Sequence, residues 1–391
     1  MTANEILEYY RGRQTVIVDA IREIVDIESP SHDAVRGRKV VDWVEQQAIA
    51  TGVDVTIERI SVDDGDHIVI RAFYDEDETQ SLSLPVLTNR HTLLLGHTDT
   101  VHPVGTNLQN PTRVVGNKFY GCGIFDMKAN IVLMFEALRY FAFTGTRPST
   151  PITILLSCDE EVGSHTGREL VERESGGARR CLVFEPSAEG RIKTGRKGTG
   201  QYTLRAHGIP AHAGLEPEKG ANAVAEIARH IDEIHAIQNA EIGTTVNVCT
   251  IKGGTTSNVI PEHAECEIDV RFSKISEGER VDAALRSIRP VDDRVSLEIL
   301  GAINRPPLER TDEVATLFEN ARTLGASFGY EVGETQVGGA SDGNFVAALG
   351  VPVLDGLGIA GNGAHRLDEH ILVSDIANRA TLVTSLLLDQ L

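Results

Sequence analysis

The sequence has no long apolar run, a deficit of positive charge and no paired cysteines. No window of its 391 residues approaches the roughly 18 uninterrupted apolar residues of a membrane-crossing helix. Lys and Arg number 37 against 57 Asp and Glu, a formal charge of −20. That sign repels phosphate backbones and anionic bilayers, which argues against a nucleic-acid or membrane partner. Five cysteines (Cys122, Cys158, Cys181, Cys249 and Cys266) are scattered without a CxxC pair. They form neither a disulfide framework nor a thiolate zinc site, and a reducing, cytoplasmic location is expected. The first 23 residues carry Glu5, Glu8, Asp19 and Glu23 among their apolar positions, which no signal peptide does. With 41% hydrophobic and 24% charged residues, the expected product is a soluble chain of two or three folding units.

The apolar pattern divides the chain. Ile6, Tyr10, Ile17, Ile21, Ile24 and Val25 recur at near-helical spacing and stop before Ser29-Pro30. Short apolar runs at 68–72, 92–95, 152–157 and 181–184 read as strands, and 127–143 and 166–174 as helices. Runs too continuous for one-sided burial, interleaved with helices, predict an α/β unit whose mostly parallel sheet is covered on both faces. Near Arg196 the pattern changes to strand 201–207, helix 221–237, strands 245–252 and 264–272, helix 277–287 and strand 294–300. That order predicts a ferredoxin-like α+β unit. The α/β pattern resumes at 313–328, 345–349, 352–354 and a closing helix at 374–388. The expected organisation is a discontinuous catalytic domain, 1–197 and 306–391, with an inserted domain at 198–305.

The polar residues that can do chemistry lie just past the ends of apolar strands. His97-Thr98-Asp99 follows one, Asp159-Glu160-Glu161 another, Glu185 a third, and His365 lies in a glycine-rich loop after a fourth. Open α/β sheets bind ligands outside the carboxyl ends of their strands. So many acids in one crevice need a cation among them. Imidazoles and carboxylates without thiolates suit zinc, cobalt or manganese, and the number of donors suits two ions. Single residues have plainer readings: Asp126 could cap the helix that follows it, Glu160-Glu161 could be a solvated loop, and His97 could be a core histidine. Cys122 and Cys158 lack an evident neighbouring base and read as inert thiols more than as nucleophiles.

Together these residues resemble a known family. His97-Thr98-Asp99, Gly121 to Lys128 around Asp126, Asp159-Glu160-Glu161-Val162-Gly163, Glu185-Pro186, Asn258-Val259-Ile260-Pro261 and Gly363-Ala364-His365 are similar, in order, to motifs of the dizinc aminoacylase/carboxypeptidase metallopeptidases. The resemblance implies that His97 and Glu185 hold one Zn2+ (or Co2+ or Mn2+), Glu161 and His365 a second, and that Asp126 bridges the two. It implies that Asp99 orients His97 and that Glu160 is the general base acting on a metal-bridging water. In the inserted domain, His212 would serve the active site of the other subunit of a homodimer, and Asn258 would bind substrate. Arg271 and Arg305 are candidates to grip a carboxylate, where a guanidinium fork fits two oxygens; Arg271 could instead pair with Glu267 or Asp269. Residues 338–344 resemble a substrate-side loop, or form a plain turn.

The expected function is hydrolysis of an amide bond in a small peptide or N-acyl amino acid beside a free carboxylate. Residues 339–344, 355–358 and 361–365 look nearest to the glutamate carboxypeptidase branch, which implies release of a glutamate-like amino acid. An N-acyl amino acid deacylase of the acetylornithine or succinyl-diaminopimelate type is the enzyme alternative. A metal scaffold without catalysis would be expected to lack the base, and Glu160 is present.

Overall fold

The first helix, Ala3–Asp26, begins where Glu5 N–H donates to the Thr2 hydroxyl and Thr2 N–H donates to the Glu5 carboxylate, a reciprocal cap that satisfies two otherwise orphaned donors. Its apolar stripe, Ile6, Tyr10, Ile17, Ile21, Ile24 and Val25, is buried, as the spacing predicts. The computed structural model describes residues 2–75 and 91–389. They group into two units, one of Met1–Thr194, Arg310–Gln336 and Ser341–Leu391, the other of Gly195–Glu309 and Val337–Ala340.

The first unit is built on a six-stranded sheet in the order Val55–Val62, Gly65–Ala72, Ile152–Ser157, His91–His97, Ala178–Val183, Val353–Leu354. The last four strands are mutually parallel, and the first two form an antiparallel hairpin on one side. Every residue of Gly65–Ala72, His91–His97 and Ile152–Ser157 is buried, which requires cover on both faces. Tyr10, Met134 and Leu382, from three helices, share one core with Leu94 and Ile154.

Some elements differ from the sequence reading. The helix Ala34–Ile49, the strand Val55–Val62 and a small sheet made of Arg113–Val115, Lys118–Tyr120, Gly361–Asn362 and His370–Leu372 were not expected. Strands of two or three residues carry no readable period. The helix expected from 127 starts at Ala129 and runs to Thr144. Asp126 (φ −119°, ψ 90°) and Met127 (φ −133°, ψ 26°) are not helical. Nor is that helix one-faced: it is buried nearly all round, Asn130 and Glu136 included. Glu136 is tolerated there because Arg13 (2.8 Å) and Arg139 (3.0 Å) pair with it. Residues 345–349 fall in and just after a short helix, Gly343–Ala348.

The second unit has the ferredoxin-like arrangement. Its strands lie in the order Thr245–Gly253, His263–Phe272, Gly198–His207, Ser296–Arg305, all antiparallel, with the helices Ala223–Ala236 and Ile275–Ser287 between them in sequence. Ile227, Ile234, Val281 and Leu285 of the helices share a core with Leu204, Ile268 and Val270 of the sheet. The last strand is longer than expected and ends at Arg305.

Candidate metal centre

Parallel pairing places the carboxyl ends of Ile152–Ser157, His91–His97, Ala178–Val183 and Val353–Leu354 side by side. Each strand end delivers part of one cluster: Glu160 and Glu161, His97, Glu185, and, through a loop, His365. Asp126 joins them from the turn before the buried helix. Its two oxygens are divided, Oδ1 lying 3.2 Å from His97 Nε2 and Oδ2 3.3 Å from His365 Nε2. Glu185 Oε1 is 3.4 Å from the same His97 nitrogen, and Glu161 Oε2 is 3.1 Å from that of His365. Donor atoms of His97, Asp126 and Glu161 lie within 4.8 Å of one another, as do those of His97, Glu160 and Glu185.

The electrostatics of this cluster call for positive charge. Asp126 and Glu161, hydrogen-bonded to His365, push its imidazole up to about 10. Burial disfavours a proton on His97, yet Asp126, Asp99 and Glu185 raise that group well above its ordinary value. Burial raises the Glu161 carboxyl. It would raise Asp126 as well, but hydrogen bonds from His365 and His97 hold that carboxyl below its usual range. Glu161 Oε1 is buried with no hydrogen-bond partner, which is costly unless something else satisfies it. An all-N/O donor set, carboxylates in excess of imidazoles and one orphaned carboxylate oxygen fit a pair of divalent cations.

The surrounding shell fixes these donors. His97 Nδ1 lies 3.0 Å from the Asp99 backbone carbonyl and 3.3 Å from Asp99 Oδ1. The Asp99 carboxylate also accepts the N–H groups of Glu160 and Glu161 (3.2 Å each) and the Ser31 hydroxyl (2.8 Å). One residue thus orients the imidazole, through its carbonyl and its carboxylate, and the turn that carries both glutamates. Glu369, not singled out from the sequence, is fully buried and accepts N–H groups of Gly123 (2.8 Å), Phe125 (2.8 Å) and Asp126 (2.9 Å), with His102 Nε2 at 2.8 Å. Burial also pushes the thiols of Cys122 and Cys158 up; neither is poised as a thiolate.

Residues 341–344 face inward. Asp342 is buried and accepts the hydroxyls of Ser157 (3.0 Å) and Ser164. Asn344 Oδ1 accepts Ser341 N–H at 2.9 Å. This part of the segment braces the strand ends and offers no exposed side chain to a substrate.

The other candidates lie in the second unit. A two-residue ribbon pairs Ala211–His212 with Val259–Ile260, and Ala213 N–H donates to the Asn258 carbonyl at 2.9 Å, so His212 and Asn258 are neighbours. His212 Nδ1 accepts the N–H groups of Gly214 and Leu215, both at 3.1 Å. In the neutral ring the proton therefore sits on Nε2, which is left as a donor. Arg271 forks onto Asp269 at 2.9–3.1 Å. Arg305 is buried. In the sheet register both arginines lie opposite Thr199, one on each side, so all three share a face.

A sequence model described as peptidase family M20/M25/M40 matches residues 93–389. Carboxypeptidase G2 from Pseudomonas sp. (strain RS-16) is 27% identical over 396 residues, which cover 99% of this chain and 92% of its own. Succinyl-diaminopimelate desuccinylase from Delftia acidovorans is 32% identical over 303 residues, 72% of this chain and 76% of its own. Among solved structures, the aminopeptidase PepT from Bacillus cereus superposes with a TM-score of 0.76 at 20% identity, covering 96% of this chain and 98% of that one. An M20 family metallo-carboxypeptidase from Sulfolobus solfataricus gives 0.68 at 14% identity, covering 95% and 98%. These two structures share the fold.

Proposed function

The chain belongs to peptidase family M20/M25/M40, and from that membership we propose a dinuclear metallohydrolase that releases a glutamate-like amino acid from a small peptide or N-acyl amino acid. The observation that carries the metal reading is the Asp126 carboxylate, with one oxygen at 3.2 Å from His97 and the other at 3.3 Å from His365. His97, Glu185 and Asp126 would hold one ion, and His365, Glu161 and Asp126 the other, with Zn2+ favoured and Co2+ or Mn2+ able to substitute. When bound, two such ions acidify a water and polarise the carbonyl it attacks.

The protein's own groups then carry out the proton transfers. Glu160 takes the proton of the attacking water and returns it to the leaving nitrogen. Asp99 keeps His97 and the Glu160 turn in register. The His212 Nε2–H donates to the oxyanion that develops on the carbonyl, Asn258 holds the substrate beside it, and Arg305, with Arg271, receives the free carboxylate. His212 is proposed to act on the site of a second copy of the chain, in a homodimer formed through the inserted unit. The carboxypeptidase reading is favoured because similarity to carboxypeptidase G2 extends over 99% of the chain, against 72% for the desuccinylase. Deacylation of an N-acyl amino acid is the alternative. Hydrolysis of N-acyl-glutamates should exceed that of acetylornithine and succinyl-diaminopimelate, vanish with chelator and return with Zn2+ or Co2+. Activity that survives exhaustive chelation would sink the metal reading, and preference for acetylornithine the substrate reading.

A further inference from the structure

Glu369 lies four residues beyond His365 and next to the strand His370–Leu372, whose first residue pairs with Tyr120. That pairing brings the His365 loop alongside the turn at 121–126. Gly121 N–H donates to the Glu369 carbonyl at 3.3 Å. The Glu369 side chain reaches further along the same turn, Oε1 accepting the adjacent amides of Phe125 and Asp126 and Oε2 accepting Gly123 N–H. His102 Nε2 lies 2.8 Å from Oε2. A carboxylate is an acceptor only, and at full burial each of its contacts replaces hydration that no water can supply. All four side-chain partners present N–H groups.

Resting on the assignment of Asp126 as the bridging ligand, we infer that Glu369, steadied by His102, is the positioning residue that locks the Asp126 turn to the His365 loop and so sets the bridge between the two ions. Asp126 and Met127 have non-helical backbone angles, so the following helix cannot hold Asp126 through its own ladder. The Asp126 N–H, which would otherwise lack a helical acceptor, goes to Glu369. Two ligand-bearing segments more than 200 residues apart in sequence are tied by one side chain that is not itself among the donors grouped around His97.

The isosteric change Glu369→Gln keeps the volume but replaces one acceptor oxygen with an NH2 that must face N–H groups. Expected results are a zinc affinity lower by about 10–100-fold, the usual cost of losing an outer partner of a metal ligand, and a lower kcat with KM unchanged. Faster amide exchange should be confined to a peptide covering 121–128. His102→Phe should show the same pattern more weakly, and His102→Gln, which restores an N–H at the Nε2 position, should recover it. This pair carries the test if Glu369→Gln does not fold. Wild-type zinc affinity and exchange in Glu369→Gln would overturn the inference, and so would accelerated exchange spread across the chain. Equal zinc affinity in His102→Phe and His102→Gln would overturn the part given to His102. Zinc binding by Asp126→Ala separates the layers. If that variant keeps both ions, the metal reading itself fails. If it loses them while Glu369→Gln does not, only the positioning role fails.

Discussion

Loading the centre with metal should expel protons, and the structure sets how many. Without ions, His365 is pushed up to about 10 by Asp126 and Glu161, so its ring carries a proton at pH 7; the carboxylates around His97 push that group in the same direction. A ligating imidazole must be neutral. Binding two ions at pH 7 should therefore release at least one ring proton, that of His365, plus any lost by the water they acidify. The ion held by His365 should gain apparent affinity about tenfold per pH unit while that ring is still protonated, below about 10. Calorimetric titration with Zn2+ in two buffers of different ionisation heat counts the protons directly, and His365→Ala should remove about one of them. Release of less than one proton, or affinities flat between pH 7 and 8, would refute the reasoning. The metal-free protein should respond to pH in the opposite sense. A raised folded pKa for His365 contributes stability that is complete below the unfolded value near 6.5 and is lost as pH climbs towards 10. Its thermal midpoint should fall over that interval, while that of the zinc-loaded enzyme should not.

Glu160→Ala should keep its metal and lose turnover by roughly 10²–10⁴, the usual contribution of a general base; zinc loss measured by elemental analysis would move Glu160 into the ligand set. Arg305→Ala should raise KM about ten- to a hundredfold, the worth of a charge-assisted pair, and erase the preference for free-acid over amidated substrates. Unchanged discrimination would shift the carboxylate to Arg271. Mixing inactive Glu160→Ala and His212→Ala chains should restore roughly a quarter of wild-type activity, since half the dimers would be mixed and each would hold one complete site. Confirmed subunit exchange without recovered activity would place His212 in its own chain's site.

Residues whose position follows from a long apolar strand were legible in the sequence. Leu93, Leu94 and Leu95 announce a buried strand, and His97 must then emerge at its end; the same logic delivers Glu160, Glu161 and Glu185. Asp126 was legible only through resemblance, since its local pattern reads equally well as a helix cap. The structure removes that reading by starting the helix at Ala129. Glu369 left no local signal: three of its four side-chain partners are backbone amides some 245 residues away, and amides have no letter in a sequence. Val55–Val62 was missed because it alternates only weakly between half-buried and exposed positions, as a strand at a sheet edge does. The extension of the last inserted strand to Arg305 depends on cross-strand register with Thr199, which no one-dimensional pattern contains.

The four adjacent parallel strands that aim the cluster also dictate when it can form. Three of them are complete by Val183, but the fourth, Val353–Leu354, and His365 beyond it are separated from the rest by the second unit. A chain emerging from the ribosome amino end first has His97, Asp126, Glu160, Glu161 and Glu185 in hand long before it has His365. Pairings between residues so distant in sequence form late. Ions captured before that moment would meet a carboxylate-rich half-site lacking its second imidazole, which favours harder cations. On the proposed ligand assignment, correct metallation would be tied to completion of the carboxyl-terminal segment, and a nascent or truncated chain ending before His365 would differ from the finished enzyme in which metal it retains.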